Sequence, residues 1–227
     1  MCEQKISKQT NPQTTNPQLR VYIANLCKYN QGELTGGWLN LPATHDEIQA
    51  FLKNQVELNN LHEEYAIHDF ESDFRLGEYE NLYDLNLLAV MLEQMSEHEK
   101  AIAAAYCSAN SLKDTLSILN TCKQIDELFY VELDANAWGS REEKLGYAIV
   151  DEFDSELKMA LEQCKLGAGF CAYDYFDFEK YGRDIALSEG YFASDELFIF
   201  YVSDIDVKLY TVREIKDELC DARLEEV

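Results

Sequence analysis

The sequence predicts an α+β protein built as three small modules in a row: N-terminal α+β, central helical and C-terminal α+β. Short alternating apolar segments near both ends of the chain are typical of strands. Between them the apolar residues follow a helical period, and Ser/Thr-x-x-Glu motifs indicate where helices begin. With 227 residues, 47% of them hydrophobic, the chain can bury a sizeable core.

The first module is predicted over residues 19–75. RVYIANLCKY is rich in β-formers, and the turn residues of QGELTGG separate it from WLNLP, which predicts a β-hairpin. Thr44 and Glu47 form a capping box, so we expect a helix that runs to about residue 58. EEYAIHDFE, at 63–71, alternates like a third strand.

The second module is predicted over residues 76–139. Helical periodicity runs through NLYDLNLLAVMLEQM, KAIAAAYCSA and SLKDTLSILNTC, and a second capping box joins Ser96 to Glu99. Because the connections are short, these helices should form a small bundle.

The third module is predicted over residues 140–227. A third capping box, Ser140 to Glu143, precedes two helical segments that should stop at the GAG of 167–169. FDFEKYGRDIAL then predicts a helix and DELFIFYVSD a strand, and a charged helical tail follows Tyr210.

The polar segment 1–18 contains TNPQ twice and is predicted to be a mobile leader. It has no apolar stretch typical of a signal peptide, and no apolar run approaches the length of a membrane span. Seven cysteines, an odd number with no CxxC pair, fit reduced thiols in the cytoplasm better than a disulfide framework.

The main departure from an ordinary composition is charge. The chain has 43 Asp and Glu against 19 Lys and Arg, which gives a net charge of −24. Residues 54–99 alone hold twelve acids and one base. Repulsion among so many like charges destabilises a compact state, so we expect the negative charge to have a role in binding a partner. Nucleic acid and an anionic membrane are excluded as that partner.

A calcium loop is one alternative for this acidic segment. Asp69, Glu71, Asp73 and Glu80 occupy positions 1, 3, 5 and 12 of a twelve-residue frame. Position 6 is Phe74, where the sharp turn of such a loop requires glycine. We therefore expect no calcium site.

Catalytic alternatives rest on few residues. A metal-dependent hydrolase could use His62, His68 and Asp69, but the histidine spacing matches no zinc motif. Cys171 is an isolated nucleophile candidate, and no histidine follows His98 in the chain to activate it. Phosphate-binding and nucleophile-elbow motifs are absent. We expect no enzyme, catalytic residue, metal or cofactor.

A folded surface of carboxylates can present what duplex DNA presents, about one negative charge per 1.7 Å of axis. Proteins that bind DNA through Lys and Arg would accept such a surface, which offers neither bases to read nor a backbone to cut. The predicted phosphate-mimicking surface comprises sixteen carboxylates: Glu57, Glu63, Glu64, Asp69, Glu71, Asp73, Glu78, Glu80, Asp84, Glu93, Asp151, Glu152, Asp154, Asp177, Glu179 and Asp184.

Three blocks resemble a known family. RVYIANLCKYNQGELTGGWLNL, EEYAIHDFE and DYFDFEKYGRDIAL (174–187) are similar to the opening, internal and YFDYE-x-YARDL motifs of the ArdA antirestriction proteins of bacterial mobile elements. Phe178 and Gly182 replace the Tyr and Ala of the third motif. The resemblance extends over about residues 19–202.

The resemblance implies an elongated, homodimeric DNA mimic in the bacterial cytoplasm. Its partner would be the methyltransferase core of a type I restriction–modification enzyme. The resemblance also implies dimerisation through the C-terminal module, where LFIFYV is apolar on both faces and one face would need the second subunit as a cover. Phe198, Phe200 and Tyr201 are the predicted dimer residues. The alternative is an acidic protein-binding adaptor that does not mimic DNA.

Overall fold

The computed structural model describes residues 17–200 and 208–225. The N-terminal part contains an antiparallel sheet of three strands in the order β2-β1-β3, with two helices beside it. Its elements are β1 (Leu19–Asn25), α1 (Leu26–Asn30), β2 (Gly36–Leu41), α2 (His45–Asn54) and β3 (Tyr65–Glu71).

The predicted hairpin and third strand are confirmed, but the first strand is shorter than expected. It ends at Asn25, whose side-chain oxygen accepts a hydrogen bond from Lys28 N and caps α1. The Asn25 amide also donates to the carbonyl of Val56, 3.0 Å away. Helix α2 begins with the predicted Thr44–Glu47 capping box. It ends at Asn54, earlier than the predicted end at about residue 58.

Three helices follow in the middle of the chain: α3 (Leu82–Gln94), α4 (Glu97–Ala109) and α5 (Thr115–Lys123). Helix α3 is buried on nearly all sides from Leu82 to Leu92, as a central helix should be. The Ser96–Glu99 capping box at the start of α4 is present as predicted.

The C-terminal part has a second antiparallel sheet in the order β4-β8-β7, and a small hairpin of β5 and β6. Helix α6 continues into a π-helical turn at Ile149–Phe153. The elements are β4 (Tyr130–Glu132), α6 (Arg141–Ala148), α7 (Ser155–Gln163), β5 (Lys165–Gly167), β6 (Phe170–Cys171), α8 (Phe178–Ser188), β7 (Gly190–Ser194), β8 (Leu197–Phe200) and α9 (Val212–Leu219).

The GAG segment does not stop a helix, contrary to expectation. Helix α7 ends at Gln163, Gly167 is the last residue of β5, and Ala168 and Gly169 form the turn to β6. Gly167 and Gly169 have φ values of 96° and 89°, a region that glycine occupies without steric strain.

Helices α6 and α8 pack against each other at two glycines. A Cβ atom added at Gly182 would lie 1.9 Å from the carbonyl oxygen of Glu142, and one at Gly146 would lie 2.0 Å from that of Phe178. The close approach of the two backbones leaves no room for a side chain at either position.

Most of the buried apolar side chains among the described residues belong to two hydrophobic clusters. The larger one joins the N-terminal sheet to α3, α4, α5 and α9, and the smaller one consists of Val131, Leu133, Leu145, Ile149 and Phe198. The α+β class is confirmed, while the division into three modules stays a prediction. No helix in the described ranges is long and apolar enough to cross a membrane.

Candidate functional site

The candidate site is the set of sixteen predicted carboxylates. Thirteen of them are exposed, and Glu80, Asp84 and Asp154 are half-buried. None of the buried polar side chains in the described residues is a carboxylate. The excess charge therefore lies at the surface, where a partner can reach it.

Strand β3 shows how the sequence positions these acids. Its pairing with β1 shifts between Tyr22 and Ile23, so that His68 is an extra residue opposite them. Ala66 and Ile67 are buried before this bulge, whereas Asp69 and Glu71 are exposed after it. The bulge thus separates a core-facing half of the strand from an acidic half.

Five of the sixteen acids form ion pairs within the chain. Arg20 Nη1 lies 3.1 Å from Glu71 Oε1, and Arg223 Nη2 lies 2.7 Å from Glu93 Oε2. Lys28 pairs with Glu57, Lys158 with Asp151, and Arg183 with Glu179. The other eleven have no ion-pair partner among the residues that the structure describes.

The half-buried acids also have roles inside the fold. Glu80 accepts hydrogen bonds from the backbone N and the hydroxyl of Thr115, at 2.8 and 2.6 Å, and so connects the start of α3 to the start of α5. Asp154 caps α7 through Leu157 N. Burial raises the pKa of the Asp84 carboxyl, and the nearby charge of Glu80 raises it further.

The calcium-like frame is not a loop in the structure. Asp69 and Glu71 lie in β3, and Glu80 is engaged with Thr115. Across 17–200 and 208–225, no three His, Cys, Asp or Glu side chains are arranged to hold a metal ion. His68 packs edge-on against Tyr29, with ring centroids 4.5 Å apart.

The thiols are in two kinds of environment. Cys107 and Cys122 are buried, and burial raises their pKa values to about 11 and about 12, so both stay protonated near neutral pH. The Cys171 Sγ lies 3.3 Å from Asp174 Oδ2, an acceptor for the thiol hydrogen.

The predicted dimer residues differ in accessibility. Phe198 is fully buried in the smaller cluster, and Phe200 is half-buried against Phe129, with ring centroids 4.6 Å apart. Tyr201 lies outside the described residues. Ile199, on the opposite face of β8, is also fully buried within the single chain. Burial of these β8 side chains therefore does not by itself require a second subunit.

Sequence reasoning missed two aromatic features. Phe129 and Phe153 are each about half exposed and extend the Phe200 surface. Trp138 is 97% exposed, more than any other large hydrophobic side chain in the described residues. Its context, DANAWGS, was an available signal, because a tryptophan in a polar turn segment has no core to face.

Comparison with known proteins identifies a family. The family model for antirestriction protein (ArdA) matches residues 21–200, which is most of the chain. A comparison with curated proteins found no match. The matched region begins within β1, contains β2, the acidic strand β3 and the whole second sheet, and ends before α9. The chain belongs to the ArdA family of antirestriction proteins.

Proposed function

We propose that this antirestriction protein is a DNA mimic that binds the DNA-binding groove of a type I restriction–modification enzyme and blocks DNA binding. The family supplies the antirestriction role and restriction–modification enzymes as the class of partner. The main observation that supports DNA mimicry is the exposure of the acidic side chains, since thirteen of the sixteen predicted carboxylates are exposed.

The size of the charge supports the same proposal. The chain carries a net charge of −24, and two copies would carry −48. At one charge per about 1.7 Å, −48 is the charge of about 80 Å of duplex DNA. A groove lined with Lys and Arg would bind this carboxylate surface for the same reason that it binds DNA. The DNA and the carboxylate surface both displace counterions and match the positive potential of the groove.

Inhibition would follow from occupancy alone. The carboxylates offer no base edges to read and no phosphodiester bond to cut, so the enzyme would be held in an unproductive complex. This mechanism needs no catalytic residue, metal or cofactor from the chain. It also predicts neither nucleic acid nor membrane as a partner, since both would be repelled by the acidic surface.

The proposal also includes oligomeric state, location and origin: the protein forms a homodimer in the bacterial cytoplasm and is encoded on a mobile genetic element. Reduced cysteines support the cytoplasm, and the aromatic surface around Phe129, Phe153 and Phe200 offers apolar area that a second copy could cover.

Competition with DNA tests the mimic. A purified type I methyltransferase core is bound to a fluorescent duplex containing its target site, and the chain is titrated in at several salt concentrations. We expect the chain to displace the duplex, with an affinity that falls as salt rises. A ternary complex, in which chain and duplex bind together, would instead support the acidic adaptor that is the alternative function.

A further inference from the structure

A groove of about 500 Å³ runs beside the loop that joins β4 to α6. Two aromatic rings and four carboxylates contribute to its lining. These residues are Trp138, Tyr147, Glu132, Asp134, Asp151 and Glu152.

Hydrogen bonds attach the loop that carries Trp138 to neighbouring elements, although the indole ring itself is almost wholly exposed. Lys144 Nζ donates to the carbonyl of Asp134, 2.8 Å away, and Leu133 N donates to the carbonyl of Glu196 at the same distance. Asn136 N donates to Asp134 Oδ1 and closes a turn. The loop is therefore fixed to α6 and to the start of β8, while the indole stays 97% exposed.

The groove is lined by negatively charged side chains, and some of them form no ion pair among the described residues. Glu132 lies 2.7 Å from His98, and Asp151 accepts from Tyr173 and pairs with Lys158. Asp134 and Glu152 have no ion-pair partner in the part of the chain that the structure describes. The ammonium of Lys144, which also lines the groove, already donates to loop carbonyls.

The chain contains a complete version of such a site elsewhere. The guanidinium carbon of Arg20 lies 4.7 Å from the ring centroid of Trp38, and Arg20 Nη1 lies 3.1 Å from Glu71. Indole, guanidinium and carboxylate are all present there. At Trp138 the indole and the carboxylates are present, and among the described residues no cation lies over the ring.

We propose that the groove receives an arginine side chain from the basic DNA-binding groove of the partner enzyme, stacked on Trp138 and paired with Asp134 or Glu152. This inference rests on the proposed function and names an anchor within it. Arginine fits better than lysine because its guanidinium is planar. The guanidinium can stack face to face on the indole while its N–H groups, which lie in the guanidinium plane, donate to a carboxylate. An arginine that normally binds a DNA phosphate would pair with a carboxylate in this groove and would also contact an aromatic ring.

The first test compares aromatic variants in the duplex competition assay with the methyltransferase core. Trp138→Ala should weaken binding about 30-fold, as loss of an interface anchor does, and Trp138→Phe should weaken it less. Tyr175→Ala, which removes another exposed aromatic ring outside the groove, is the matched control and should change binding little.

The second test measures accessibility directly. Because the chain has two tryptophans, Trp38→Phe leaves Trp138 as the only one. It can be replaced by 5-hydroxytryptophan, which is excited at wavelengths that the partner's tryptophans do not absorb. Acrylamide should quench this fluorophore strongly in the free chain and weakly in the complex. Circular dichroism checks that Trp38→Phe is folded.

The outcomes separate the two levels of the proposal. If the chain displaces DNA while Trp138 stays fully quenchable and Trp138→Ala binds normally, the arginine anchor is wrong and the mimic stands. If the chain does not displace DNA, the mimic fails and the anchor fails with it. Protection of Trp138 together with a selective loss in Trp138→Ala supports both.

Discussion

The side-chain amide of Asn120 on α5 exchanges two hydrogen bonds with the backbone of Tyr210. Asn120 Nδ2 donates to the Tyr210 carbonyl at 2.9 Å, and Tyr210 N donates to Asn120 Oδ1 at 2.7 Å. Asn120 is 6% exposed, and Ile215 and Leu224 are buried in the larger cluster. The tail beyond residue 207 therefore completes the core of the protein, although it lies outside the region matched to the family.

Asn120→Ala should lower the free energy of unfolding by about 1–3 kcal/mol, because it leaves the backbone N–H and carbonyl of Tyr210 without their partner. Urea denaturation measures the change. Asn60→Ala, at an exposed loop position, is the control and should be near neutral. Equal stability of the two variants would mean that the tail is only loosely attached.

The tail also shows the limits of the sequence. Local signals were sufficient for the helix starts, since Thr44 and Ser96 form the predicted capping boxes. At Ser140 only half of the predicted box is present, the hydrogen bond from Glu143 N to the Ser140 hydroxyl. No local pattern states that Tyr210 returns to Asn120, because that pairing depends on how distant elements pack. The GAG segment is ambiguous for a related reason, because glycines at positive φ occur both in hairpin turns and at helix ends.

The candidate site was predictable in composition but not in detail. Counting acids identified the charged segments, and the exposure of thirteen of the sixteen carboxylates follows from the cost of burying charge. The sequence could not separate the paired Glu71 from the unpaired Glu63, because Arg20 is distant in the chain and the β1–β3 register brings it opposite Glu71.

No single carboxylate should be essential for binding the restriction enzyme, because mimicry spreads a modest energy over many exposed charges. Any one amide substitution should lower affinity slightly, and a fourfold variant should lower it steeply in the duplex competition assay. The fourfold variant is Glu63→Gln, Glu64→Gln, Asp69→Asn and Asp73→Asn. These four acids are exposed and form no ion pair among the described residues.

A control with the same change in net charge separates position from total charge. It carries Glu156→Gln, Glu162→Gln, Glu189→Gln and Glu196→Gln, four exposed acids outside the predicted surface. We expect this control to bind more tightly than the first fourfold variant. Loss of all binding in one single variant would reveal a point site and contradict the distributed surface.

The Thr44–Glu47 capping box should make part of the stability dependent on pH. Hydrogen bonds from the backbone N–H and then the hydroxyl of Thr44 lower the pKa of the Glu47 carboxyl below its ordinary value of 4.5. A folded-state pKa below the unfolded one gives stability that is complete above the unfolded pKa and lost as pH falls through the folded pKa.

The stability difference between wild type and Glu47→Gln should therefore be constant near neutral pH and shrink below about pH 4.5. Urea denaturation of both proteins between pH 7 and pH 3 measures it. A difference that grows on acidification would show that the capping carboxylate is not favoured in its charged form.

The dimer prediction can be sharpened by the different burial of the two phenylalanines of β8. Phe198→Asp would place a charge in the fully buried smaller cluster, so this variant should unfold. Phe200 is half-buried at the edge of the aromatic surface with Phe129, and Phe200→Asp should leave the chain folded while it separates the subunits. Leu187→Asp, at a position that is 78% exposed on α8, is the control for an added surface charge and should stay dimeric.

Sedimentation of wild type and variants at micromolar concentration, with circular dichroism to check folding, decides between the states. A folded Phe200→Asp monomer would present half the charged length, so it should bind the methyltransferase core more weakly than wild type and still bind. This follows because each half of a mimic retains its own carboxylates and its own contacts with the basic groove. If wild type itself sediments as a monomer, the dimer is wrong, and the single chain with its net charge of −24 is the inhibitory unit.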